Sequence, residues 1–161
     1  ITVEESASKD RLSIAVEDNG CGMTEEQVRS VIDPFYTTRT TRKVGLGVPF
    51  FKMSAEATGG DFSIVSRPGE GTAVSACYHT DHIDMLPLGD MNATILSLIT
   101  MNPDLDFVYT RSLDGKSYVL DTRELKKVLE DVPLNAPDVV LYLKEALEEG
   151  TAALYGTPDT N

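Results

Sequence analysis

Asp18-Asn19-Gly20-Cys21-Gly22-Met23 is the stretch on which the fold turns. Before it, Leu12-Ser13-Ile14-Ala15-Val16-Glu17 alternates apolar and polar residues, the pattern of a half-buried strand. A strand running into Asp-x-Gly-x-Gly can set one carboxylate at the bottom of a pocket. Its glycines permit positive φ and let backbone approach a flat ligand closely. Taken alone, an Asn-Gly turn is common in any protein. Thr24, with Gln27 three residues later, forms a capping box that predicts a helix over 25–33, stopped near Pro34.

Moving outward, Asp33-Pro34-Phe35-Tyr36-Thr37-Thr38 opens a stretch without apolar periodicity, read as a loop. From Tyr36 to Lys52 there are four basic residues, Arg39, Arg42, Lys43 and Lys52, and no acidic ones. A basic, Thr-rich loop can close over a polyphosphate through charge-assisted hydrogen bonds. Gly45-Leu46-Gly47 opens a predicted helix over 45–60 with Val48, Phe51 and Ala55 as apolar positions. Pro49 sits in its first turn and Gly59-Gly60 stops it. The N-terminus of that helix is a ready anion site. Asp61 to Ser66 and Thr72 to His79 read as a hairpin around Arg67-Pro68-Gly69-Glu70-Gly71. Upstream, Ile1-Thr2-Val3-Glu4 pairs with the Leu12 strand in the same reading, around a polar turn at Ser8 to Arg11.

In this order and spacing the four boxes resemble the nucleotide-binding half of the histidine-kinase-like (GHKL, Bergerat-fold) ATPases, the superfamily that includes gyrase and Hsp90. The resemblance covers residues 1–80, and Asp-Pro-Phe-Tyr-Thr-Thr fits the kinases better than the other branches. It implies an α+β fold, a two-layer α/β sandwich with a mixed, mostly antiparallel sheet. It implies ATP as ligand, with Asp18 accepting a hydrogen bond from the adenine amino group beside Gly20, Gly22 and Met23. Thr72 lies near the base, sharing a water with Asp18. Phe35, Thr38, Arg39 and Lys43 belong to the lid segment, and Gly45, Leu46 and Gly47 to the phosphates. Lys43 stands where the family usually has a further glycine, and Val48-Pro49 follow the second glycine, so the lid is shaped differently. In the superfamily an Asn on a helix upstream of the first hairpin ligates Mg. Ile1 already lies in that hairpin, so the Mg ligand is expected outside this chain, with weakened or absent Mg-ATP binding and no turnover by this piece. The function implied is ATP binding in a signalling or regulatory switch of bacterial type. The alternative is a nucleotide-responsive or degenerate interaction module without catalysis.

The 161 residues carry a net charge of −12, which argues against nucleic acid and anionic membranes as partners. Residues 1–80 hold eight basic and eleven acidic side chains, net −3; residues 81–161 hold six and fifteen, net −9. The boundary is read between His79 and Gly89, giving domains 1–80 and 81–161. The second reads as an αββαα unit. A helix over 90–101 is followed by strands over 105–111 and 116–120 around Asp114-Gly115. A helix capped by Asp121 or Thr122 runs to Leu129, and a last one, capped by Asn135, runs to Gly150. This acidic unit could pack on the first domain, form a homodimer, or bind a basic protein partner. His79 and His82 lack the setting of a phosphoacceptor. Cys21 and Cys77 read as reduced thiols of a cytoplasmic protein, with no metal site in the chain. No apolar run is long enough to span a bilayer.

Overall fold

Residues 1–33 and 46–156 are described in the computed structural model. The chain divides into two compact units, Glu5–Met85 and Leu86–Asn161 together with Ile1–Glu4. The division falls within the first strand, β1 (Thr2–Ser6), which a 3-10 turn over Ala7–Lys9 links to β2 (Arg11–Asp18).

The first unit continues with α1 (Glu25–Ile32), α2 (Gly47–Ala57), β3 (Asp61–Arg67) and β4 (Gly71–His79). Its strands lie in the order β3-β4-β2, each pair antiparallel. Leu12, Ile14 and Val16 stand opposite Tyr78, Ala76 and Val74, and Phe62 and Ile64 continue the row on β3. One sheet face is therefore apolar, and α2 lies on it. Phe51 packs edge-on against Phe62 at 6.2 Å and 89°, and 6.3 Å from Tyr78. Such ring pairs add about 0.5–1.5 kcal/mol beyond area burial. Burial pushes the Tyr78 phenol up, and its 3.1 Å hydrogen bond with Ser54 draws it partly back.

Local chemistry sets the helix ends. Thr24 and Gln27 form both bonds of the capping box, Gln27 N–H to Thr24 Oγ1 at 3.3 Å and Thr24 N–H to Gln27 Oε1 at 2.8 Å. The helix expected over 45–60 is observed as Gly47–Ala57, because its last turn becomes a Schellman cap. Gly59 at φ +70 donates to Glu56, and Gly60 donates to Ala55. Pro49, third in the helix, is fully buried.

The second unit holds α3 (Met91–Met101), β5 (Val108–Leu113), β6 (Lys116–Asp121), α4 (Thr122–Leu129) and α5 (Pro137–Tyr155), the expected αββαα order. Ile1 donates to the Val108 carbonyl at 2.8 Å and accepts from Thr110 N–H at 2.9 Å. Bonds to both neighbours of Tyr109 are the parallel pattern, so the strand pairing of this α+β protein is mixed. Ile95 and Ile99 of α3, Tyr109, and Leu143, Leu147 and Leu154 of α5 form the core.

Several expected boundaries move. β5 starts at Val108 rather than Leu105 because α4 captures the preceding backbone. Lys126 Nζ bonds the carbonyls of Asp104 and Leu105, and Thr122 Oγ1 takes Phe107 N–H. The cap of α5 is Ala136 rather than Asn135. The residue before a proline is held extended, and its carbonyl accepts Val140 N–H. α5 also runs through Gly150 to Tyr155. Gly150 is there for space, since a methyl group on it would lie 2.6 Å from the Tyr118 ring. Gly150→Ala is expected to destabilise this unit by about 1–3 kcal/mol through overpacking, outweighing a helix-propensity gain of about 1 kcal/mol. Chemical unfolding measures this, and a stabilised variant would refute the close packing.

Asp121 caps α4 as expected, accepting Arg123 N–H at 2.9 Å. The hydrogen bonds of the Arg123 side chain bring its carboxyl down to about 2.

Candidate functional site

The Asp18 turn and the β3–β4 hairpin interlock through their glycines. Gly22 has φ +63, and a Cβ there would overlap the Arg67 carbonyl. Gly71 has φ +113, and its Cβ would overlap the Asp18 carbonyl. Gly69 N–H donates to the Cys21 carbonyl at 2.7 Å. Two turns far apart in sequence thus lie backbone against backbone, and only glycine fits at both contact points.

Ser66 joins them from the side. Its Oγ accepts Met23 N–H at 2.8 Å, donates to the Gly71 carbonyl at 2.9 Å and meets Thr72 Oγ1 at 2.8 Å. The sequence reading missed Ser66. A signal exists, since it follows Phe62 and Ile64 on the apolar side of β3 and is a polar residue where the alternation calls for an apolar one.

Asp18 and Thr72 are direct partners across β2 and β4, so both side chains stand on the face that α2 covers. Asp18 Oδ1 accepts Gly20 N–H at 2.8 Å, which fixes the carboxylate in an Asx turn. Its other oxygen has no partner among the described residues. Asp18, Gly20, Gly22, Met23 and Thr72 thus come together. Leu46 and Gly47 open α2, in the helix layer over the same sheet face. Leu46 is the N-cap and supplies no side-chain bond, and among the described residues nothing lies within 4 Å of a Cβ built on Gly47. Phe35, Thr38, Arg39, Lys43 and Gly45 lie outside the described residues.

A cleft of about 240 Å³ opens at the same corner, lined by Asp18, Ser66 and Thr72 and also by Glu17, Val65 and Ala73. The last three point to the sheet face away from α2, so this cleft borders the Asp18–Thr72 pair from behind. His79 and His82 are exposed; His82 Nδ1 accepts Asp84 N–H at 3.1 Å. Cys21 is exposed and Cys77 buried, both free. Among the described residues no three His, Cys, Asp or Glu side chains converge as metal ligands. No helix among them is long and apolar enough to cross a membrane.

Comparison with known proteins agrees with this geometry. Residues 1–82, half of the chain, match the family described as histidine kinase-, DNA gyrase B-, and HSP90-like ATPase. The signal transduction histidine-protein kinase AtoS of Escherichia coli is 36% identical over 64 residues, 40% of this chain and 10% of that protein. An uncharacterized sensor-like histidine kinase of Rhizobium meliloti, R01002, is 33% identical over 86 residues, 50% of this chain and 16% of that protein. The sensor histidine kinase YkoH of Bacillus subtilis is 36% identical over 67 residues, 38% of this chain and 15% of that protein. The matched stretch thus spans less than a fifth of each of these relatives. The two interlocked glycine turns, the Asp18–Thr72 pair and these matches lead to one conclusion: the chain belongs to the histidine kinase-, DNA gyrase B- and HSP90-like ATPases.

Proposed function

We propose that residues 1–82 form the adenine-nucleotide site of a histidine-kinase-type signalling protein. The observation that carries the reading is the Asp18–Thr72 pair, held opposite each other on the α2-covered face by the interlocked turns. The open oxygen of Asp18 accepts the amino group of adenine, with Gly20, Gly22 and Met23 beside the base. The N-terminal turn of α2, at Leu46 and Gly47, receives phosphate oxygens. Arg39 and Lys43, with Phe35, Thr38 and Gly45, are assigned to the phosphate-side lid from their sequence positions alone. No Mg ligand is assigned among the described residues, and a Mg ion bound with the nucleotide would supply neutralisation of its phosphate charge.

The second unit is the candidate partner surface. On α5, Leu141 and Tyr142 are more than half exposed, at 56% and 54%, among exposed Asp138, Glu145, Glu148 and Glu149, with exposed Lys144 paired to Glu148 at 3.8 Å. That rim favours a basic protein segment over a second copy of this acidic chain. A cytoplasmic setting, with both thiols reduced, belongs to the same reading.

Calorimetric titration of the chain with ATP, with and without Mg, tests the nucleotide assignment. Weak, saturable binding of one ATP per chain is expected. No binding of ATP or ADP in either condition would leave the degenerate-scaffold alternative.

A further inference from the structure

The strand β3 is one edge of the order β3-β4-β2, and among the described residues no strand lies beyond it. Natural edges are blunted by bulges, prolines or charges within the strand. β3 has none of these. Its register against β4 runs unbroken from Asp61↔Cys77 to Arg67↔Gly71, and its only charges are its two end residues. On the face away from α2, Val65 is 61% exposed beside exposed Ser63. The Arg67 carbonyl accepts Glu70 N–H at 3.0 Å and so turns toward the hairpin with β4. Backbone direction alternates along a strand, so Asp61, Ser63 and Val65 turn the same way. Phe62, Ile64 and Ser66 therefore turn their N–H and C=O groups outward, away from β4.

We propose that β3 is a docking edge for a second copy of this chain, the two copies pairing antiparallel, β3 against β3, into one continuous sheet. The two-fold axis of such a pair stands perpendicular to the sheet and keeps each face on its own side. A residue can then stand opposite only one that shares its face. An axis beside Ile64 sets Ile64 opposite its own counterpart, and an outward-turned residue is what that position requires, because the pair exchanges both N–H···O=C bonds. The same register sets Asp61 opposite Arg67 of the second copy, and Arg67 opposite its Asp61. Val65 meets Ser63 of the second copy on the outer face. The edge strand of the second unit, β6, has no such match: about Tyr118 its Lys116 meets Leu120, and about Val119 its Ser117 meets Asp121. Net charge also favours the first unit for self-association, since residues 1–80 carry −3 and residues 81–161 carry −9. Arg67 has an exposed competitor in Glu70 of its own chain at 3.5 Å, so the end pairs select the register more than they add affinity. A single edge contact is smaller than the roughly 1,200 Å² of a stable interface, so the dimer is weak and reversible.

Sedimentation equilibrium of the full chain, from about 10 μM to about 1 mM, tests the pairing. The wild type is expected to show a monomer–dimer equilibrium within this range. Asp61→Arg sets like charges opposite each other at both ends of the seam and should weaken the dimer about tenfold, and Arg67→Asp should do the same. The double exchange, Asp61→Arg with Arg67→Asp, restores opposite charges at both ends and should recover the wild-type association. A wild type that stays monomeric throughout would overturn the proposal. So would a dimer that neither reversal weakens, or one that the double exchange fails to recover, since the contact would then lie on another face. Should a reversal disturb the hairpin, Val65→Lys provides the second test, because that side chain is exposed and its loss leaves the core intact. It places a lysine of each copy at the seam and should also weaken the dimer, and unchanged association in this variant would likewise remove β3 from the interface.

Discussion

Gly71→Ala is expected to cost the Glu5–Met85 unit about 3 kcal/mol or more, a fall of more than about 10 °C in its unfolding temperature. Two effects combine. The residue sits at φ +113, where an L side chain is strained, and its Cβ would overlap the Asp18 carbonyl and lie 2.9 Å from Asn19 Cα. Those neighbours are backbone, so no rotamer change relieves the overlap. Relief would have to come from separating the two turns, which also pulls Thr72 away from Asp18. Gly69 is the internal control. It has φ +81 but, among the described residues, nothing within 4 Å of its Cβ. Gly69→Ala should therefore cost only the conformational part, about 1 kcal/mol. Urea unfolding of both variants separates strain from overlap. Equal losses would mean that the contact between the turns contributes nothing.

Asp18→Asn should weaken ATP binding about 100-fold while leaving the fold intact, since a hydrogen bond to a charged group is worth about 1.5–3 kcal/mol. The amide oxygen can still accept Gly20 N–H, so the Asx turn survives. The amide NH₂ then occupies the open position, where a donor would face the donor of adenine. Adenosine should lose as much affinity as ATP, because the base contact is common to both. Calorimetry with both ligands, alongside an unfolding curve, reads this directly. Unchanged ATP affinity would remove Asp18 from the site.

What could be read from the sequence is what short segments settle by themselves. The capping box at Thr24 needs only four residues, and the Gly59-Gly60 stop and the Asp114-Gly115 turn need two each. The glycine boxes at Gly20–Gly22 and Gly69–Gly71 could be read because each marks a tight turn. What escaped depends on partners distant in the chain. Ser66 reads as an ordinary strand residue until its bond to Met23, 43 residues away, is seen. Gly150 reads as a helix stop until the Tyr118 ring appears beneath it. The start of β5 is set by Lys126, twenty-one residues beyond Leu105. Local propensity carries no information on such contacts.

The interlock of the two glycine turns also sets an order of events in folding. α1 and its capping box can form from neighbouring residues, but Asp18 acquires Thr72 only when β4 has closed onto β2. Closing so long a loop carries an entropic cost that is met before the contacts repay it. A chain still emerging from the ribosome therefore has its carboxylate and its first glycines, yet no Asp18–Thr72 pair until residue 72 is available. On the proposed nucleotide reading, binding would then wait for completion of the sheet. Nucleotide at about 100 times its Kd would stabilise the finished unit by about 2.7 kcal/mol and leave every earlier intermediate unaided.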